Sequence, residues 1–424
     1  MLRDPGGLGA DQGGQLVDRV LPVEQGPDDP QASLVAEQLE HAHGRLELVL
    51  GRNLLCLLRV LYPLYLRSHI DRLAIKSLPR AAGKRSAVRS VVLVVIPLSV
   101  LDLATVASGS TPAEALHDTI RMATVVEKLG YQRLWVAEHH GMPAVASSAP
   151  AVLIAHLAQA TTTLRVGSGG VMLPNHSPLV IAEQFATLEA LHPGRIDLGL
   201  GRAPGTDQVT ARALRRARGV DTADTFPDDV VELISYLLPR EGDPGHPAAV
   251  PGSGYLPEVW LLGSSLFSAQ LAGMIGLPFS FAYHFAPQLL DRALETYRSN
   301  FRPSILHEEP RAMVAVTVLC APTEDEARWL SGSSALSTLQ LRTGRLSKLP
   351  TPEEAAAYSF TPEERAIVED SMSSHIIGDP DTVREGLLKL QDRTQADEFM
   401  ISTRLHSFDA RAKSLELVAQ SWGI

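Results

Sequence analysis

The stretch VVLVVIPLSVL, residues 91–101, is the first long β-branched run in the chain, and a regular alternation starts with it. Seven further apolar runs follow, at 134–138, 164–173, 196–200, 259–262, 279–283, 312–320 and 398–403, most of them trailed by a helical pattern. Continuous apolar runs, rather than strict alternation, predict strands covered on both faces, as in a parallel sheet. Eight β-α units in about 330 residues predict a single (β/α)8 TIM barrel over residues 91–424. A doubly wound open sheet has the same local grammar, and the count of eight decides between them.

Several helix starts are written into the sequence. Thr111-Pro112-Ala113-Glu114 is a capping box with proline at the first helical position. Leu116, Ile120, Ala123 and Val126 then supply an apolar face, and Gly130 closes the helix. Ser177-Pro178, Thr361-Pro362 and Asp379-Pro380 repeat the start signal. After the seventh run, residues 329–374 are long for one barrel unit and contain Gly344 and Pro350. They predict an insertion, either an active-site cover or a solvent-facing helical hairpin.

Upstream of residue 91 the character changes. Residues 1–90 open Gly/Pro/Asp/Gln-rich and end basic, and no strand alternates with the helical pattern at 33–66. They are expected to be a poorly ordered appendage or an upstream start-site artefact, since Val91, Val92, Val94 and Val95 could each reflect an alternative initiation codon.

Composition narrows the function. The 424 residues are 45% hydrophobic and 20% charged, an ordinary globular balance. A net charge of -10 disfavours nucleic acid and anionic membranes as partners. Two cysteines, Cys56 and Cys320, far apart in the chain, argue against a disulfide framework and fit a reducing cytoplasm. The apolar stretch 54–66 is short and interrupted by Arg59 and Pro63, whereas a membrane span needs about 20 apolar residues.

Barrel enzymes work at the C-terminal strand ends, and four of those ends are unusual. The second run closes on Glu138-His139-His140, which can supply a base, a hydrogen bond to a heterocycle, or metal ligands; it can equally be a polar terminus without a role. The third contains Gly167, Ser168, Gly169 and Gly170, a pattern for a bulge, for a flat ligand against the backbone, or for a plain barrel bend. The fourth ends in Gly199-Leu200-Gly201-Arg202, where an arginine among small residues suits an anion or simply faces solvent. Its Gly-x-Gly lacks the remaining glycine and helix of a dinucleotide fingerprint. The fifth runs into Gly263-Ser264-Ser265 and a helix through Ser268, a strand-turn-helix phosphate site or a simple serine cap. Arg202 from the neighbouring strand favours phosphate.

These four strand ends, in this order, resemble the luciferase-like monooxygenase family. The likeness runs from about Ile96 through Arg404, and it is carried by Glu138-His139-His140, by the block from His192 to Asp207, and by Gly263-Ser264-Ser265 through Phe279. The resemblance implies a TIM barrel that uses reduced FMN, delivered by a separate NAD(P)H:flavin reductase. With O2 it would form a flavin C4a-hydroperoxide and oxidise a small organic substrate, an aldehyde or similar electrophile. It implies Arg202, Ser265 and Ser268 as phosphate ligands with Gly263 and Ser264 in their turn. Ser168, Gly169 and Gly170 would lie under the flavin ring, with a cis peptide at Gly169-Gly170. His139 would be the catalytic histidine, His140 its neighbour and Glu138 part of the same group.

Gly201 stands where the light-emitting catalytic subunit carries a reactive cysteine, so luminescence is not expected. Nothing calls for a second, different subunit, and a homodimer stays open. The competing readings are a deazaflavin-dependent hydride-transfer enzyme on the same barrel, a metal-dependent hydrolase using His139, His140, His176 and His284, and a non-enzymatic flavin-binding protein.

Overall fold

Proline without an amide hydrogen cannot donate to a strand ladder, so the first strand of the computed structural model starts after Pro97, at β1 (Leu98–Asp102). The structure describes residues 95–203, 210, 213–214, 225–239 and 247–424. The expected extension over residues 1–90 lies outside them, as do Cys56 and the start of the run at 91–101.

Eight more strands follow: β2 (Arg133–Val136), β3 (Arg165–Met172), β4 (Ile196–Gly201), β5 (Glu258–Gly263), β6 (Phe279–Ala282), β7 (Ala312–Cys320), β8 (Ile376–Gly378) and β9 (Glu398–Ser402). Each strand from β1 to β7 pairs in parallel with the next; β7 then pairs with β9, and β9 returns to β1. The ring is an eight-stranded closed barrel, the TIM-type fold expected. β8 has no counterpart among the eight runs. Three residues are too short to register as a strand, and it pairs only with the far end of β7, from Val318 to Cys320.

The helices cover the outside. The capping box at Thr111 forms as read, with the Thr111 hydroxyl accepting from the Glu114 amide of α1 (Pro112–Lys128), and Gly130 follows at φ +85°. The buried face differs from the sequence reading: Ala115, Thr119, Met122, Ala123 and Val126 are buried, while Leu116 and Ile120 are only partly so. The face is turned by about one residue because Thr119 is drawn inward to Asp102, its hydroxyl donating to the carboxylate at 2.9 Å.

The remaining helices are α2 (Pro150–Ala160), α3 (Pro178–Leu191), α4 (Phe226–Leu237), α5 (Leu266–Ile275), α6 (Leu290–Asn300), α7 (Glu324–Arg342), α8 (Pro352–Ala357), α9 (Pro362–Met372), α10 (Pro380–Thr394) and α11 (Phe408–Trp422). The expected insertion after strand seven is α7 to β8. Its outer helix α9 buries nothing, whereas α7 buries Ser333, Ser334 and Ser337 against the barrel end. No helix among the described residues is long and apolar enough to cross a membrane.

Inside the ring, alternate residues point to the axis and stack in layers. At the N-terminal end Arg133 is buried and bonds Asp197 at 2.7 Å and Glu398 at 2.7 and 3.1 Å. Arg311 joins Glu258 at 2.6 Å and Glu398 at 3.0 Å. Burial opposes the Arg133 charge, but Asp197, Glu398 and Glu258 together raise its pKa. Above this ionic floor sits an apolar plug of Trp135, Trp260, Met313 and Met400, the two indoles edge to face at 5.6 Å. The barrel is therefore filled, and only its C-terminal mouth remains for chemistry.

Candidate active site

The inward rows of the strands continue past the plug to the mouth. On β2 the row Arg133, Trp135 and Ala137 reaches His139, and on β6 the row Ser280 and Ala282 reaches His284.

Glu138, beside His139, is fully buried. One of its oxygens lies 2.9 Å from His140 Nε2 and 2.8 Å from His176 Nε2; the other accepts from the Met172 amide at 3.1 Å. Burial alone would push the carboxyl up, but the His176 and His140 bonds and the Met172 amide outweigh it, and the net shift is downward. An ionised carboxylate thus ties the end of β2 to the end of β3 and to the turn after it. The His176 contact was not legible in sequence, since the two residues are 38 positions apart.

His139 is placed differently. Its amide donates to the Ser147 carbonyl at 2.9 Å, and its Nδ1 is buried without a hydrogen-bond partner. Burial, then the charge of Arg404, holds its pKa at about 4 against the pull of Glu138. His139 is neutral at pH 7, with an unused nitrogen at the barrel mouth. His284 differs again, its Nδ1 lying 3.0 Å from the Ala315 carbonyl. The four histidines named as potential metal ligands therefore do not act as one set, and among the described residues no group of three or more His, Cys, Asp or Glu could hold a metal ion.

The glycine-rich β3 carries a register shift between Ser168 and Val171, with a cis peptide at Gly169-Gly170. The Ser168 hydroxyl both donates to the Gly199 carbonyl and accepts from its amide, each at 3.0 Å, which stitches β3 to β4 across the irregularity. Packing already accounts for much of the glycine. A Cβ on Gly167 would lie 2.5 Å from Asp197, on Gly170 2.7 Å from the Gly199 carbonyl oxygen, and on Gly199 2.2 Å from the Ser168 carbonyl oxygen.

At β5 the strand-turn-helix reading takes shape. A Cβ on Gly263 would fall 2.3 Å from Ser268 Cβ, so glycine is what lets the first turn of α5 fold back on the strand end. Ser265 occupies the N-cap but makes no side-chain capping bond; its hydroxyl is 3.5 Å from that of Ser268, and Ser264 is exposed beside it. Arg202, from the end of β4, stacks its guanidinium over Phe267 in the first helical turn, 4.3 Å from the ring centroid. A helix N-terminus with hydroxyls turned away from capping and an arginine alongside is a fitting cradle for a phosphate. FMN is compatible with this donor set.

Sequence reasoning missed Arg404, Ser337 and His375. Arg404 donates to Ser337 Oγ at 2.8 Å, and its charge lowers the pKa of His139, His284 and His375. Each sits in a loop or helix whose local pattern carries no signal.

The profile of the luciferase-like monooxygenase family matches residues 96–396. A luciferase-like monooxygenase of Escherichia coli K12 is 49% identical over 322 residues, 76% of this chain and 96% of that one. The N-acetyl-S-alkylcysteine monooxygenase of Bacillus subtilis is 33% identical over 331 residues, 77% and 98% of the two chains. The solved structure of apo-MsnO8 superposes with a TM-score of 0.70 at 36% identity, covering 77% of this chain and 98% of the other.

Proposed function

The chain belongs to the luciferase-like monooxygenase family, and from that premise we propose that it is a flavin-dependent monooxygenase using FMN, reduced by a separate NAD(P)H:flavin reductase, and O2 to oxidise a small organic substrate. The observation that carries the FMN assignment is the start of α5, where Ser265 leaves its capping bond unmade beside Arg202. Arg202, Ser265, Ser268 and the free amides of the helix would hold the phosphate. Gly169 and Gly170, with Ser168 fixing their strand, would let the flat ring approach the backbone. Reduced FMN supplies the electrons that make O2 reactive toward the substrate.

His139 offers an unprotonated nitrogen at the mouth. Its low pKa suits it to a hydrogen bond, and to holding a proton only while a reaction step drives one there. Glu138, its oxygens already engaged, is a positioning residue for His140 and His176. The apolar layer under the mouth keeps bulk water away from below.

The test compares FMN, riboflavin and deazaflavin binding, followed by turnover with 18O2, NAD(P)H and a flavin reductase. FMN is expected to bind at least tenfold more tightly than riboflavin, Arg202→Gln to erase that preference, and one 18O atom to enter the product. Tight deazaflavin binding with indifference to O2 would overturn the proposal.

A further inference from the structure

Every arginine of the barrel floor meets carboxylates: Arg133 meets Asp197, Arg165 the same residue, and Arg311 meets Glu258. Arg411 on the outer wall meets Asp102. Arg404, at the barrel mouth, has no such partner among the described residues. Its hydrogen-bonding partner is Ser337 Oγ on α7 at 2.8 Å. Its own carbonyl accepts from Ser334 Oγ at 2.6 Å, so the same helix fixes the backbone too. Along β9 the inward row runs Glu398 in the floor and Met400 in the plug, then Ser402, and the alternation continues to Arg404 at the mouth.

The ionised Glu138 acts on His139 and is engaged by His140 and His176, and burial is the one cause that shifts Arg404 itself. The histidines its charge reaches are His139, His284 and His375; burial is the larger cause in each, and His139 and His375 are held at about 4. All three are neutral at pH 7. Arg404 is half-buried, and that burial works against its charge. A charge partly withdrawn from water with no carboxylate beside it carries a cost, and a bound anion relieves it. In the ring of eight strands β9 stands directly opposite β4, which carries Arg202, and β2 with His139 stands midway between. A ligand on Arg404 would leave the phosphate cradle free.

We propose that Arg404, oriented by Ser337, is the recognition residue of the substrate site, and that the organic substrate carries a carboxylate. One guanidinium among neutral imidazoles matches a single negative charge, and its planar fork matches a planar carboxylate; a phosphate dianion would leave charge unpaired. The assignment of this anion to substrate rests on the reading that Arg202 holds the flavin phosphate.

Hexanoate, hexanamide and hexyl phosphate are the probes, titrated by calorimetry into the full-length protein with and without FMN. Hexanoate is expected to bind at least tenfold more tightly than hexanamide and more tightly than hexyl phosphate. Arg404→Gln should abolish that preference, Arg404→Lys should retain part of it, and both should keep FMN affinity within twofold. Equal or undetectable binding of hexanoate and hexanamide to the wild type, preference for hexyl phosphate, or a preference that survives Arg404→Gln would overturn the proposal. So would a large loss of FMN affinity in Arg404→Gln, which would make Arg404 a flavin ligand. Selective hexanoate binding in a protein that ignores FMN would leave the carboxylate subsite standing and remove only the flavin reading.

Discussion

At the scale of single residues, His139 and His375 show how burial tunes a mouth for neutral donors and acceptors. Each is held at about 4 in the folded chain, whereas an exposed histidine titrates near 6.5. Between those values the unfolded chain binds protons that the folded chain refuses. The stabilisation from keeping both rings neutral is complete above pH 7 and is lost as pH falls toward 4. Urea midpoints measured at pH 8, 6 and 5 should therefore fall on acidification, and the double variant His139→Gln, His375→Gln should fall less. An unchanged slope would mean these rings are not held neutral by the fold. Little of this was legible in the sequence. Glu138-His139-His140 reads as one polar triplet, but the chain turns at the strand end, sends the carboxylate into the protein with His140 against it, and leaves His139 apart from both. That split depends on His176 and Arg404, which only the tertiary structure brings near.

At the scale of elements, the signals that could be read were those with local chemistry. Thr111-Pro112-Ala113-Glu114 and Thr361-Pro362-Glu363-Glu364 both form capping boxes, because each hydroxyl and glutamate satisfies amides only three residues away. β8 carried no such signal, since its three residues become a strand only through the edge that β7 offers. The start of α5 lies between these cases. Its Ser265 and Ser268 were visible, but not the reason for Gly263, whose missing Cβ makes room for Ser268. Gly263→Ala should therefore displace the first turn of α5 and weaken FMN binding about tenfold or more, the scale of one lost charge-assisted hydrogen bond. Equilibrium fluorescence titration would measure it. A variant that binds FMN like the wild type would show that the turn does not hold the phosphate.

For the molecule as a whole, burial on both faces announced a parallel sheet, and the count of eight β-α units decided for a closed barrel over a doubly wound one. The ionic floor was not announced. Arg133 and Glu398 are 265 positions apart, and each reads as an ordinary charge at the edge of an apolar run. Closing the ring brings them to one level on the axis. Arg133→Met should leave Asp197 and Glu398 short of their partner and cost about 3–5 kcal/mol of stability, measured by urea unfolding. A loss below about 1 kcal/mol would mean that Arg165 and Arg311 take over the pairing.

The same floor bears on how this scaffold can change. The ion pairs among Arg133, Arg165, Arg311, Asp197, Glu258 and Glu398 lie at the end of the barrel away from the candidate site, while the opposite rim is assembled from loops and helix starts. A laboratory selection for new substrates could exchange rim segments wholesale and still draw on an untouched foundation, whereas one careless charge reversal below the tryptophans would bring down variants whose catalytic parts were all correct.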